Sequence, residues 1–202
     1  AKKLTQQKGF TLLETLVAVF ILTLALTGPI YIASLAIRGS VESRDNISAY
    51  HLAEEAIEVI RNKRDYLSLQ SNISSANWLT SITGGVSCMN PPGVANSVAC
   101  YMTRDSAGVY TFTQCSGACA PLLFNPNGSI LYGETGLIGA VESKFTREIY
   151  LQTSSQDNGS GNNPLREVDV VVTIKWTDRG RQKQFVLKER LHNQQYYRYY
   201  TQ

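Results

Sequence analysis

The residues able to do chemistry are few, and the first is a carboxylate in an unfavourable place. Glu14 is the one charged side chain between Phe10 and Ile37, and 23 uncharged residues follow it, from Thr15 to Ile37. As a helix rising about 1.5 Å per residue, that run crosses the roughly 30 Å hydrocarbon core of a bilayer. A carboxylate at the start of such a span is costly unless a cation pairs with it. Just ahead of it stand Lys8, Gly9 and Phe10.

The four cysteines are the second group. Cys88, Cys100, Cys115 and Cys119 lie in loop-like sequence, and an even count on an exported chain reads as two disulfides. Nearest-neighbour pairing gives Cys88–Cys100 and Cys115–Cys119, one of three connectivities. The alternative, a zinc site, needs paired short spacings that C-x11-C-x14-C-x3-C does not have. His51 has Glu54 and Glu55 one turn further on but no second histidine or cysteine beside it, and reads as structural. Asp157, Asn158 and Asn162 offer oxygen donors for calcium in a Gly- and Asn-rich stretch that lacks EF-hand spacing and a terminal bidentate glutamate. The end of the chain, Gln195-Tyr196-Tyr197-Arg198-Tyr199-Tyr200, interleaves aromatics with one arginine. That pattern reads as a terminal strand or frayed tail, with stacking on single-stranded nucleic acid as the alternative. No phosphate loop, dinucleotide fingerprint or Gly-x-Ser-x-Gly elbow is present, and no catalytic site is expected.

The elements that position these groups follow from charge and periodicity. Lys2, Lys3 and Lys8 precede the apolar run without an acid among them, whereas Arg38, Glu42, Arg44 and Asp45 follow it with mixed sign. The positive-inside tendency puts residues 1–9 in the cytoplasm and the rest outside. A chain starting at Phe10 carries 16 basic and 16 acidic side chains, because three of the 19 basic residues lie before it. A general electrostatic pull on nucleic acid or lipid disappears with them. Three lesser readings of the apolar run are a secretory signal, a plain anchor and a buried core helix. It is longer than a signal's apolar region, and no apolar partner helix follows it. Gly28-Pro29 predicts either a kink or local melting of the helix, or a tolerated membrane proline.

Residues 44–66 continue as an amphipathic helix. Its apolar stripe is Ile47, Tyr50, Ala53, Ile57 and Ile60, widened by Ala49, Leu52, Ala56 and Val59. Residues 68–142 are punctuated by turn signals, with short strands at 109–113 and 130–132. The last third alternates clearly. A strand over 145–151 is followed by one in which Val168, Val170, Val172, Ile174 and Trp176 share a face. A turn at Asp178-Arg179-Gly180-Arg181 leads to a third strand over 184–191. The expected fold class is α+β: a long N-terminal helix packed on a C-terminal antiparallel sheet.

Lys8-Gly9-Phe10-Thr11-Leu12-Leu13-Glu14, with its basic leader and uninterrupted apolar continuation, resembles the type IV prepilin signature. Type II secretion pseudopilins share that signature. The stretch Ala53-Glu54-Glu55-Ala56-Ile57-Glu58-Val59-Ile60-Arg61 and the closing strands resemble minor pilins and minor pseudopilins. The resemblance implies a pilin fold divided into a leader (1–9), a transmembrane and assembly helix (10–37), its amphipathic continuation (38–67) and an extracellular β-rich head (68–202). A membrane prepilin peptidase and N-methyltransferase would cut after Gly9, where no Cβ obstructs its approach. It would then methylate the amine of Phe10.

The product would be a structural subunit of a type IV pilus-like filament, first in the inner membrane and then extracellular. Its partners would be other pilin subunits, met through the N-terminal helix, with Glu14 pairing the Phe10 amine of a neighbour. DNA uptake is a known role in this family and some pseudopilins bind calcium in a β-loop, so DNA or a surface ligand, and calcium at Asp157, Asn158 and Asn162, are the further ligands the resemblance would allow. A monomeric membrane-anchored adhesion or binding domain is the alternative reading, and an exported enzyme a third.

Overall fold

A computed structural model describes residues 11–70, 78–90, 92–93, 97–105, 107–124, 139–153 and 166–194. Its elements in chain order are α1 (Leu12–Ser68), α2 (Trp78–Thr83), β1 (Cys100–Arg104), β2 (Tyr110–Gln114), β3 (Pro121–Phe124), β4 (Val141–Thr153), β5 (Glu167–Asp178) and β6 (Arg181–His192). The chain forms two compact units, Ala1–Asp45 and Asn46–Gln202, and α1 contributes residues to both.

In the first unit the helix starts at a cap. Thr11 Oγ1 and the Thr11 carbonyl both accept from the Glu14 N–H, at 3.3 and 3.0 Å. Thr11-Leu12-Leu13-Glu14 thus has the residue types of a capping box. Along the apolar stretch the hydroxyls of Thr15, Thr23, Thr27 and Ser34 donate to carbonyls three residues back, at 2.8–3.0 Å. Those bonds keep the hydroxyls satisfied without water, as a hydrocarbon setting requires. Pro29 sits inside the helix, which continues through it, so local melting does not occur here. The ring nitrogen has no hydrogen to offer the carbonyl of Ala25.

The second unit is one antiparallel sheet covered by the rest of α1. The strand order is β2-β1-β4-β5-β6, and β3 pairs with the early part of β4. The strands of the last third are longer than their alternation alone suggests. β5 pairs with β4 from Thr153↔Val168 to Phe145↔Trp176, and with β6 from Glu167↔His192 to Asp178↔Arg181. The β5–β6 turn has two central residues, Arg179 and Gly180, with φ of 49° and 76°. Positive φ at both is the signature of a type I′ turn, whose twist matches the strands it joins. Arg179 is an unusual residue there, because its Cβ crowds the left-handed conformation.

The helix face differs from the expected stripe. Ala49, Leu52, Ala53, Ala56, Ile57 and Ile60 are buried, whereas Ile47 and Tyr50 are 56% and 43% exposed. Three alanines at 49, 53 and 56 let the helix backbone approach the sheet closely, so the small residues lie at the contact. Against them stand Ile149 and Leu151 of β4, Val168, Val170, Val172, Ile174 and Trp176 of β5, and Met102 of β1. Tyr50 packs at the margin, edge-on to Phe185. The β2 strand fulfils the expectation of a strand near 109–113, while 130–132 lie outside the described residues.

Both disulfides lie in the second unit and pair nearest neighbours. Cys88–Cys100 joins the segment after α2 to β1, and Cys115–Cys119 closes a four-residue step between β2 and β3. The first bridge is deeply buried. Around it Leu151 N–H donates to the Cys88 carbonyl and Asn90 N–H to the Leu151 carbonyl, at 2.7 and 3.3 Å, so a turn-rich segment is stitched onto β4.

Candidate processing and assembly segment

The segment built around Glu14 is a helix that meets no apolar partner among the described residues. Every residue from 11 to 33 is exposed within the chain, including Leu12, Leu16, Phe20, Leu24 and Ile30. A contiguous apolar surface of this extent marks a membrane or protein contact. The helix is long and apolar enough to cross a bilayer, and the most apolar part of it is not buried. Glu14 itself is exposed in the first turn. A carboxylate at that place faces the positive end of the helix dipole, which offsets a little of its desolvation cost. Gly9 and Phe10 lie outside the described residues. Thr11, which caps the helix, is a residue that sequence reasoning passed over; its signal was the Thr-x-x-Glu spacing ahead of the apolar run.

The described residues of the second unit hold ordered polar arrangements on both faces of the sheet. The first crosses the core. Arg147, 1% exposed, lies on the same face of β4 as Phe145, Ile149 and Leu151. Its guanidinium donates to the Leu52 carbonyl at 3.1 Å, to Glu55 Oε2 at 2.8 Å and to the Met102 carbonyl at 3.2 Å. The Tyr110 hydroxyl donates to the other Glu55 oxygen at 3.3 Å. Burial, reinforced by Glu55, raises the Tyr110 phenol above its usual range. One arginine thereby ties α1, β1 and β4 together. A second tie between helix and sheet is Arg61, which grips both Glu189 and Glu58.

On the opposite face of the sheet, buried Glu148 accepts from Lys175 Nζ at 2.7 Å and from the Tyr150 hydroxyl at 2.8 Å. Burial and that bond hold the Tyr150 phenol well above its usual range. Further along, Asp169 receives Arg190 at 2.8 Å and Lys188 at 2.9 Å. The hydrogen bond from Arg190 is the main reason its carboxyl is held below the usual range.

Of the other residues singled out in the sequence, His51 is exposed and meets Glu54 at 3.5 Å. Asp157, Asn158 and Asn162 lie outside the described residues, as does the aromatic tail from residue 195 onward. Among the described residues no group of three histidine, cysteine or acidic side chains is placed to hold a metal ion.

Residues 4–28 match the prokaryotic N-terminal methylation motif. No characterised protein sequence and no solved structure is significantly similar to the chain. The match supports a type IV prepilin-like precursor, and the likeness is confined to this N-terminal stretch. The long N-terminal helix and the six-stranded antiparallel sheet have the architecture of the α+β pilin fold.

Proposed function

We propose that the protein is a minor pilin or pseudopilin, a non-catalytic structural subunit of a type IV pilus-like filament. It is cleaved after Gly9, N-methylated at Phe10 and held in the inner membrane by its apolar helix until it assembles. Residues 1–9 face the cytoplasm before cleavage, and the C-terminal unit lies outside. The observation that carries this reading is the methylation motif leading straight into an exposed apolar helix. An anchor needs the helix alone; the motif and Glu14 are what processing and assembly require.

The physical role of Glu14 follows from its setting. Cleavage creates an amine four residues before it, and a methylated amine keeps its positive charge. In a bundle of such helices, the amine of one subunit pairs with the carboxylate of the next. Removing one partner of a buried pair leaves the other uncompensated, at a cost of about 3–5 kcal/mol. The pair also sets register between helices whose apolar faces specify little. Glu14→Ala is expected to be cleaved normally yet to be depleted from filaments by at least tenfold. The measurement is immunoblotting of sheared filaments against membranes from the native host. Normal incorporation of Glu14→Ala defeats this assignment.

A further inference from the structure

We infer that the outer edge of β6 pairs with the same edge of a second copy of this chain, the two strands running antiparallel about a two-fold axis at Val186. β6 ends the sheet, and among the described residues no strand pairs with its outer side. The two-residue turn fixes which backbone groups face outward. Asp178 and Arg181 close it as a hydrogen-bonded pair, so alternate residues from Arg181 to Leu191 bond to β5. Gln182, Gln184, Val186, Lys188, Arg190 and His192 therefore aim their N–H and C=O groups away from the sheet.

Sheet edges are ordinarily blunted by brevity, proline, a bulge or charged side chains left at the edge. β6 runs for 12 residues, contains no proline and pairs with β5 in unbroken register. Its cations Lys188 and Arg190 are drawn over the sheet face by Asp169, at 2.9 and 2.8 Å. Midway along, the β-branched Val186 is 49% exposed. The strand is also complementary to itself. In the antiparallel register centred on Val186, that residue meets its own copy, and Phe185 meets Leu187 twice by symmetry. Both are already partly buried on the helix side, so pairing extends an existing apolar surface. Lys183 stands opposite Glu189, Gln184 opposite Lys188 and Gln182 opposite Arg190, and no like charges face each other. Centring on Phe185 or Leu187 instead sets Val186 against Gln184 or Lys188 and loses the match of Lys183 with Glu189. Such self-complementarity is what a two-fold interface between copies requires, whereas a foreign strand requires none of it.

The test uses the full chain in a non-ionic detergent. All four native cysteines are bridged, so an introduced cysteine reports its own neighbour. Opposite residues of a hydrogen-bonded pair lie about 5.5 Å apart at Cα, within disulfide reach. Under mild copper–phenanthroline oxidation Val186→Cys is expected to give a disulfide-linked dimer. Thr177→Cys, exposed on β5, should give at least tenfold less. Gln184→Cys mixed with Lys188→Cys should cross-link, whereas each alone should not. Because the apolar helix can itself gather chains, the mixed pair is repeated with Val186→Lys in both. Two like charges meeting at the axis should then cut the yield at least tenfold. Tryptophan emission and the melting temperature of each variant confirm an intact fold. No dimer from Val186→Cys, equal cross-linking of Thr177→Cys, or a mixed-pair yield that Val186→Lys leaves unchanged would each overturn the proposal. So would capture of a different polypeptide in place of a second copy when Val186→Cys is oxidised in native-host membranes. None of these outcomes depends on processing at Gly9.

Discussion

Replacing Arg147 with methionine tests how the helix is locked onto the sheet. Methionine keeps most of the aliphatic volume and removes the guanidinium, so the change isolates the polar contacts. Three hydrogen bonds from a charged donor are lost, to Leu52 O, Glu55 Oε2 and Met102 O. Bonds to charged groups contribute about 1.5–3 kcal/mol each, and breaking a buried pair costs about 3–5 kcal/mol in total. Glu55 is 30% exposed and keeps its bond from Tyr110, so water can take up part of the freed charge. The expected loss is therefore near the lower end, about 3 kcal/mol. Urea unfolding of the full chain in detergent, followed by tryptophan fluorescence, measures it. The chain has two tryptophans, Trp78 and Trp176, both buried in the second unit, so the signal reports that unit alone. A double-mutant cycle with Glu55→Gln should show a coupling of about 1–3 kcal/mol. A loss below about 0.5 kcal/mol for Arg147→Met, or no coupling, would refute the reasoning.

Two further outcomes follow from the same unit. Loop closure predicts that replacing Cys88 and Cys100 together by serine costs about 3 kcal/mol, and replacing Cys115 and Cys119 about 2 kcal/mol, in the same urea assay; equal losses would contradict the order. Asp169 provides a pH test. Its folded carboxyl titrates below the ordinary aspartate value of about 3.9, so its stabilising contribution is present above that pH and is lost as pH falls through the folded value. Asp169→Asn should therefore be less stable than the parent at pH 7, with the gap closing below about pH 4. A gap that stays constant with pH would show that the ion pairs to Arg190 and Lys188 are not its source.

The legible parts of the fold were those where period and burial agree. β5 alternates apolar and polar residues over most of its length, and its turn carries glycine at the place a type I′ turn needs one. β1 and β3 were not legible: each is five residues or fewer, β3 opens on proline, and both are completed by pairing with the distant β4. α2 has six residues, too few for a helical period to show. The helix face was displaced because Tyr50 and Ile47 outrank alanine in hydrophobicity, whereas close packing selects alanine. Arg147 had a signal that went unread, a charged residue at an apolar position of an alternating strand. In the first unit the motif and the apolar run were fully legible, because both are local in sequence.

The proposed maturation cuts the chain after Gly9 and methylates Phe10. Intact-mass and N-terminal peptide mass spectrometry of protein from its native host tests it most directly. The expected mature species begins at Phe10 with one methyl group on its amine. A mature species retaining residues before Phe10, or one beginning at Ile37, would contradict it.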